Sequence, residues 1–551
     1  MLETGSVANI SGGSVGDDFD VTAGSVLNIN GGTVGNQVQA RSGSVVNISG
    51  GEVGRNFQAF ADSVINVSGG NIESSFNAQG GSVVNVSGGK IDRISVGRDA
   101  ELNLTGGILG SNSSVGEGVV NISGGIIDSF YLAFAGSEVN IAGGVVRENF
   151  SAGFGGGVTN INISGGAIGD GFDAGFSNHN VNISGGDFRL NGNAITGSTL
   201  ALDPNSNDVF TGTLADGSAF IFTPLAGDDL VNVTLTQAPT LGLADSTPII
   251  VTAPRSGPSG LRAGQSLTLQ SGGELGENFS VVEATLNVEQ GIVGDGFEAH
   301  DSNVNISGGE FERVFFSQSD VVFSGGLVTR PVRAFSDTNI DVVGGNVAST
   351  IELFESTLNV NSGSVSGIDA TDNSIANING GTVVNGVTVA EDSIFNLNAG
   401  EVSGTFFNAF GEVNFNGGTF SSTRSSFGGT VNIFGGSFEG EFDALNNSAI
   451  NLFGSEFFLD GVLLDTFDIG ESLVITDRNR LLSGLLADGS EFEFELNDSF
   501  SNNEGDFFAS GSTLTLTLLE SNAVPEPSGT VVLALAGLTL LQRRKRSADG
   551  R

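Results

Sequence analysis

One asparagine recurs at nearly constant spacing through the first part of the chain: Asn9, Asn28, Asn47, Asn66, Asn85, Asn103, Asn121, Asn140, Asn162 and Asn182. Successive gaps are 19, 19, 19, 19, 18, 18, 19, 22 and 20 residues. The stretch from Ser44 to Asp62, SVVNISGGEVGRNFQAFAD, shows what one copy holds. Val46 and Ile48 alternate with Asn47 and Ser49, the period of a strand with one buried face. Gly50-Gly51 then breaks the strand, and Val53, Phe57 and Ala59 supply a second set of apolar positions. A single copy cannot bury these groups. Stacked about 4.8 Å apart, the copies make one continuous core. A period near 20 residues with these features predicts a parallel β-helix.

The pattern stops, resumes and stops again. TLALDP, VFTGTLADGSAFIF and LVNVTLTQA, between Thr199 and Ala238, alternate as strands, with Asp216-Gly217 as a hairpin turn. They are expected to form an antiparallel cap over residues 198–238. Pro239, Pro248, Pro254 and Pro258 among Ser, Thr and Gly mark 239–260 as a linker. A second array follows over 261–465, with Thr268 in the asparagine phase. It continues through Asn287, Asn305, Val322, Asp341, Asn359, Asn377, Asn396, Asn414, Asn432 and Asn451. A second cap is expected over 466–520. FRLNG at Phe188 matches FFLDG at Phe457, 269 residues on, and GTLADGSAFIF at Gly212 matches GLLADGSEFEF at Gly484, 272 residues on. Matching offsets in the last rung and the cap indicate one module duplicated in tandem. The fold class expected is therefore all-β: two tandem parallel β-helices of 18–20-residue rungs, ten in the first array and eleven in the second, each capped.

Composition narrows the setting. The 86 glycines of the 551 residues keep phase with Val, Ile and Phe, which argues for packed turns over low complexity. Phe occurs 41 times against one Tyr (Tyr131) and no Trp, suiting an interior that offers no hydrogen-bond partners. A formal charge of -42, with Lys90 and Lys545 the only lysines, repels nucleic acid and anionic membranes. The absence of cysteine excludes disulfides and thiol chemistry.

The last thirty or so residues, 521–551, differ in kind. Pro525-Glu526-Pro527 precedes the apolar run SGTVVLALAGLTLL and then Arg543, Arg544, Lys545 and Arg546. As a helix, Ser528 to Leu541 spans about 21 Å, a short transmembrane segment whose flanking cations would stop transfer and stay cytoplasmic. This tail resembles the PEP-CTERM sorting domain of Gram-negative bacteria. The resemblance implies export, transient residence in the inner membrane, and processing beside Pro-Glu-Pro by an exosortase-type enzyme. It also implies an association with exopolysaccharide and biofilm. Export needs a leader, yet Met1 opens in mid-rung with no basic or apolar leader region. The expectation is that a signal peptide and a covering cap lie upstream of Met1; the alternative is a cytoplasmic protein with a frayed first rung.

Extracellular β-helices include polysaccharide lyases and hydrolases, whose chemistry needs clustered carboxylates, usually with a cation. The candidates are Asp170, Asp173 and His179 in GDGFDAGFSNHN, and Asp295, Glu298, His300 and Asp301 in GDGFEAHDSNVN. Equivalent positions elsewhere hold Gln58, Asn77 or Ser280, the substitution pattern of a solvated turn. On that ground no cleft combining Asp170, Asp173 and His179 with a basic residue is expected. No phosphate loop, dinucleotide fingerprint, EF-hand or GGxGxD series is present. No cofactor or metal is expected, and the NIS triplets are strand residues rather than glycosylation signals.

The asparagines remain. With Val46 and Ile48 inward, Asn47, Asn66, Asn85, Asn103 and Asn121 should form an outward column whose amides hydrogen-bond along the stack. Such a column is a candidate surface for a repetitive ligand such as polysaccharide. The favoured expectation is an exported, non-enzymatic cell-surface or matrix protein, structural or adhesive. Its partners would be an exosortase-type enzyme, exopolysaccharide and the inner membrane, and not nucleic acid. The alternatives are a carbohydrate-active β-helix enzyme and a passenger-like adhesin that binds a specific protein.

Overall fold

Residue Asn56 explains how a rung closes. It stands at φ 60°, in the left-handed region, as do Asp18, Gln37 and Ser75 at the same place in neighbouring copies. The position directly precedes the inward Phe or Val of the second strand, so any residue tolerating that backbone serves there. In the computed structural model, which describes residues 1–155, 157–175, 179–238, 245–254, 257–404, 407–423, 425–499 and 505–520, almost everything else is β. Among the described residues the one short helical turn is Pro224–Ala226.

Each rung of the first array carries a long strand, such as Val45–Val53, and a short one, such as Gln58–Ala59. Rungs stack in parallel with like on like: Val46 faces Ile65, Asn47 faces Asn66, Ile48 faces Val67 and Val53 faces Ile72. The short strands do the same, Gln58 on Asn77 and Ala59 on Ala78. Val46, Val53, Phe57 and Ala59 are wholly buried, as the alternation requires. Aromatic columns run within this interior, with Phe150 stacked on Phe172 at 4.7 Å between ring centroids and 4° between planes. The Gly-Gly bend is equally repetitive. Gly51 has φ 85°, and a Cβ there would lie 2.6 Å from the Gly32 carbonyl oxygen of the rung below. Only glycine allows that approach of backbone to backbone.

The caps differ from the antiparallel expectation in one respect. In the first, Phe210–Leu214 pairs antiparallel with both Gly185–Leu190 and Ala219–Phe222. The chain then turns back, and Val233–Gln237 lies parallel on Val181–Gly185, setting Thr234 over Asn182. The second cap repeats this mixture: Leu481–Leu486 runs antiparallel to the last rung, while Thr513–Leu518 lies parallel on Ala449–Gly454, with Thr515 over Asn451. The parallel strand exists because the returning chain meets the half of the last rung that the hairpin leaves uncovered.

Residues Met1–Val304 with Phe311–Phe315 form one compact unit, and Asn305–Glu310 with the chain from Phe316 onward form another. The division therefore falls inside the second array and not in the 239–260 linker. Part of that linker is itself a rung. Ile249–Val251 pairs in parallel with Leu267–Leu269, and Gly260–Leu261 pairs with Ser280–Val281. Within the first unit these opening rungs pack on the first cap, where Val209, Ala219, Ile221 and Val282 make a small apolar cluster of their own. In the second unit the repeat continues, with Asp320–Phe323 on Asn339–Val342 and then Thr357–Val360.

Candidate functional site

The asparagine column forms an unbroken, directional chain. Asn28 Nδ2 donates to Asn9 Oδ1 at 2.7 Å, Asn47 to Asn28 at 2.8 Å, Asn66 to Asn47 at 2.8 Å and Asn85 to Asn66 at 2.9 Å. Asn103, Asn121, Asn140, Asn162 and Asn182 continue it, each donating to the asparagine of the preceding rung at 2.7–3.0 Å. An amide has two N–H groups and two oxygen lone pairs. Each column bond uses one of each, which leaves most rungs a second donor and acceptor, although Asn121 and Asn140 also donate to Glu101 and Glu138 at 3.4 and 3.1 Å. The neighbouring outward positions are mostly Val on one side and Ser on the other, as in Val45, Asn47 and Ser49.

The second unit has the same column from Asn359 to Asn451, and beside it a further one, Asn361, Asn379, Asn398 and Asn416, joined at 2.7–3.0 Å. Its lower end shows why the phase tolerates other residues there. Asp341 accepts from Asn359 at 2.8 Å and stands over Val322, to which it need donate nothing. A carboxylate can end such a chain but cannot pass it on.

The candidate carboxylates meet in a way the repeat pattern does not suggest. Arg313 reaches back within the first unit, its Nη2 2.9 Å from Glu148, its Nε 3.7 Å from Asp170 and its Nη2 3.8 Å from Asp295. Buried Glu298 lies beside Asp170, whose charge helps to raise its pKa. Arg313 thus brings a basic group to Asp170, one member of the Asp170, Asp173 and His179 set. Asp170 and Asp295 are not interchangeable turn residues but members of a seam joining the first array to the opening rungs of the second. The seam continues in Arg147, which holds Glu277 through both Nε and Nη2 at 2.6 Å. It includes Asn278, whose Nδ2 donates to the Val146 carbonyl at 3.0 Å, and Arg189, 2.8 Å from Glu283.

Burial sets the charge state here. Glu298 and Asp228 are 4% and 3% exposed. Desolvation pushes both carboxyls well above the ordinary range, and the charge of Asp170 adds to the shift. His179 and His300 are each 1% exposed and serve as interior residues rather than members of the Arg313 group. His179 lies near Asp173 and Asp229 with its pKa lowered by burial. Burial takes His300 down to about 4 against the opposing pull of Asp301, so it is neutral in the physiological range. Among the described residues no group of three or more His, Asp or Glu side chains has the arrangement of a metal site.

Three pairs of acceptors that the repeat pattern does not single out hold the caps in place. Asn191 Oδ1 accepts the Val209 N–H at 2.8 Å, and Asp460 Oδ1 accepts the Leu481 N–H at 2.9 Å. Asp216 Oδ2 accepts the Gly166 N–H at 2.9 Å, and Asp488 Oδ2 accepts the Gly436 N–H at 3.0 Å. Asp228 accepts from Phe172 and Thr223, and Asp506 from Phe442 and Glu495. The signal was present in the aligned modules, where Asp-Gly and Gly-Asp pairs recur at matching places. Beside Asp506, Glu439, Glu441, Glu493 and Glu495 line a cavity of about 490 Å³.

The sorting-signal residues Pro525, Glu526 and Pro527 and the basic cluster Arg543, Arg544, Lys545 and Arg546 lie outside the described residues, as does the apolar run between them. Among the described residues no helix is long and apolar enough to cross a membrane. Comparison with protein-family models, with curated proteins and with solved structures finds no match for this chain.

Proposed function

We propose that this chain is an exported, non-enzymatic protein of the cell surface or extracellular matrix, structural or adhesive in an exopolysaccharide setting. The observation that carries the reading is the asparagine column: a rigid, repeating outward face with a spare amide donor and acceptor on most rungs. Such a face matches a polymer that repeats hydroxyl groups better than it matches a single small molecule. The net charge of -42 favours a neutral polymer over a polyanion. Export and sorting rest on the resemblance of the tail at Pro525-Glu526-Pro527, with an exosortase-type enzyme as the processing partner. Mass spectrometry of surface and membrane fractions from the native host tests this. A mature surface form lacking Val531 to Leu541 is expected; Arg546 retained on secreted protein would end the assignment.

The second reading, a carbohydrate-active enzyme, is favoured by the meeting of Asp170, Asp295 and Glu298 at Arg313. Against it, those groups are spent on one another and on the seam. Fragments released from a polysaccharide panel, and lost in Asp295→Ala, would establish the enzyme.

A further inference from the structure

The two cap hairpins are the same on one face and opposite on the other. GTLADGSAFIF and GLLADGSEFEF align from Gly212 and Gly484, so Ala219, Phe220, Ile221 and Phe222 correspond to Glu491, Phe492, Glu493 and Phe494. The four phenylalanines all point inward and are at most 5% exposed. The outward residues differ. Ala219 and Ile221 are 4% and 3% exposed because Val282, from the opening rungs of the second array, packs on them. Backbones also come close there: a Cβ on Gly260 would lie 3.2 Å from the Ala219 nitrogen. In the second cap the strand Glu491–Glu495 alternates exposed Glu with buried Phe.

We infer that the outward face of a cap hairpin is a docking surface for the opening rungs of a β-helix array, and that Glu491 and Glu493 close this surface in the second cap against a second copy of this chain. An array seating itself there would have to strip water from both carboxylates and face them with apolar side chains. Glu439, Glu441 and Glu495, which share the cavity with Glu493, would add like charge. An apolar edge in this place invites association, and inward or edge charges are the usual means of preventing it.

The full-length chain tests both halves. In A219E/I221E, hydrogen exchange at Ser280–Val282 should quicken roughly tenfold or more while exchange along Asn162–Ile168 stays unchanged. The second segment reports that the first array is still folded. Unchanged protection at Ser280–Val282 would overturn the docking surface. In E491A/E493I, sedimentation over a concentration series should show association that the unaltered chain lacks. A variant that stays monomeric throughout, or an unaltered chain that already associates through this edge, would overturn the closure.

Discussion

Asp228 fastens the first cap to Phe172: its Oδ1 accepts the Phe172 N–H at 2.8 Å while Oδ2 accepts the Thr223 N–H at 2.9 Å. Asp506 does the same for Phe442 and Glu495 at 2.9 and 3.0 Å. One carboxylate thus joins the last short-strand side of the array to the hairpin in each module. Its two oxygens suit two backbone donors that no strand partner reaches.

The second of these latches should respond to pH. Burial raises the Asp506 pKa to about 6 against the two backbone hydrogen bonds. The folded state therefore holds a proton more tightly than the unfolded chain does. The associated stability is present below about pH 4 and is lost as the pH rises through about 6, about 3 kcal/mol. Calorimetry of the unaltered chain and of Asp506→Asn checks this. The slope over that interval should be shallower in the variant.

Breaking the column in mid-course has a local cost. Asn66→Ala removes the bond to Asn47 and the bond from Asn85, both below 3.0 Å. A loss of about 1–2 kcal/mol is expected for two partly exposed hydrogen bonds. Asn66→Asp should cost more, since a carboxylate would face the Asn47 oxygen without a proton to donate. Denaturant unfolding of the two variants side by side gives the order.

Removing Arg313 leaves Glu148, Asp170 and Asp295 facing one another beside buried Glu298. Arg313→Met should destabilise the first unit by about 3 kcal/mol at pH 7, the cost of an uncompensated buried charge. Thermal scans of the variant beside the unaltered chain check this.

Processing of the tail gives a separate test. Replacing Pro525 and Pro527 by Ala should leave the unprocessed chain in the membrane fraction of the native host, with its basic end at Arg543, Arg544, Lys545 and Arg546 intact. Immunoblots of the fractions, with antibodies to the body and to the tail, show the outcome.

The rungs were legible because their information is local and repeated. Val46, Asn47 and Ile48 announce a strand, and the same three residue types recur at each period. The register followed, since a slip by one residue would put Asn47 in the core. What was not legible is long-range and occurs once. Nothing near Arg313 in sequence points to Glu148, and nothing near Val282 points to Ile221. The linker was misread for a related reason: Pro248 and Pro254 bracket Ile249–Val251, yet that segment finds a partner strand at Leu267–Leu269. The caps were half legible, because the hairpin turn has its own signal while the parallel return strand does not.

The 22-residue gap between Asn140 and Asn162 shows how this architecture handles length. The two amides still meet at 2.7 Å, and Glu138–Val146 still pairs with the strand above it, residue facing residue at Asn140. Part of the surplus is a bulge at Gly153, where Ala133 faces Ala152 but Phe134 faces Phe154, away from the column. Copying errors that insert or delete a few residues in a turn thus leave the stacked faces in register. Those that add a whole period simply lengthen them. A gene built this way can change the reach of its product by slippage without redesigning a single contact.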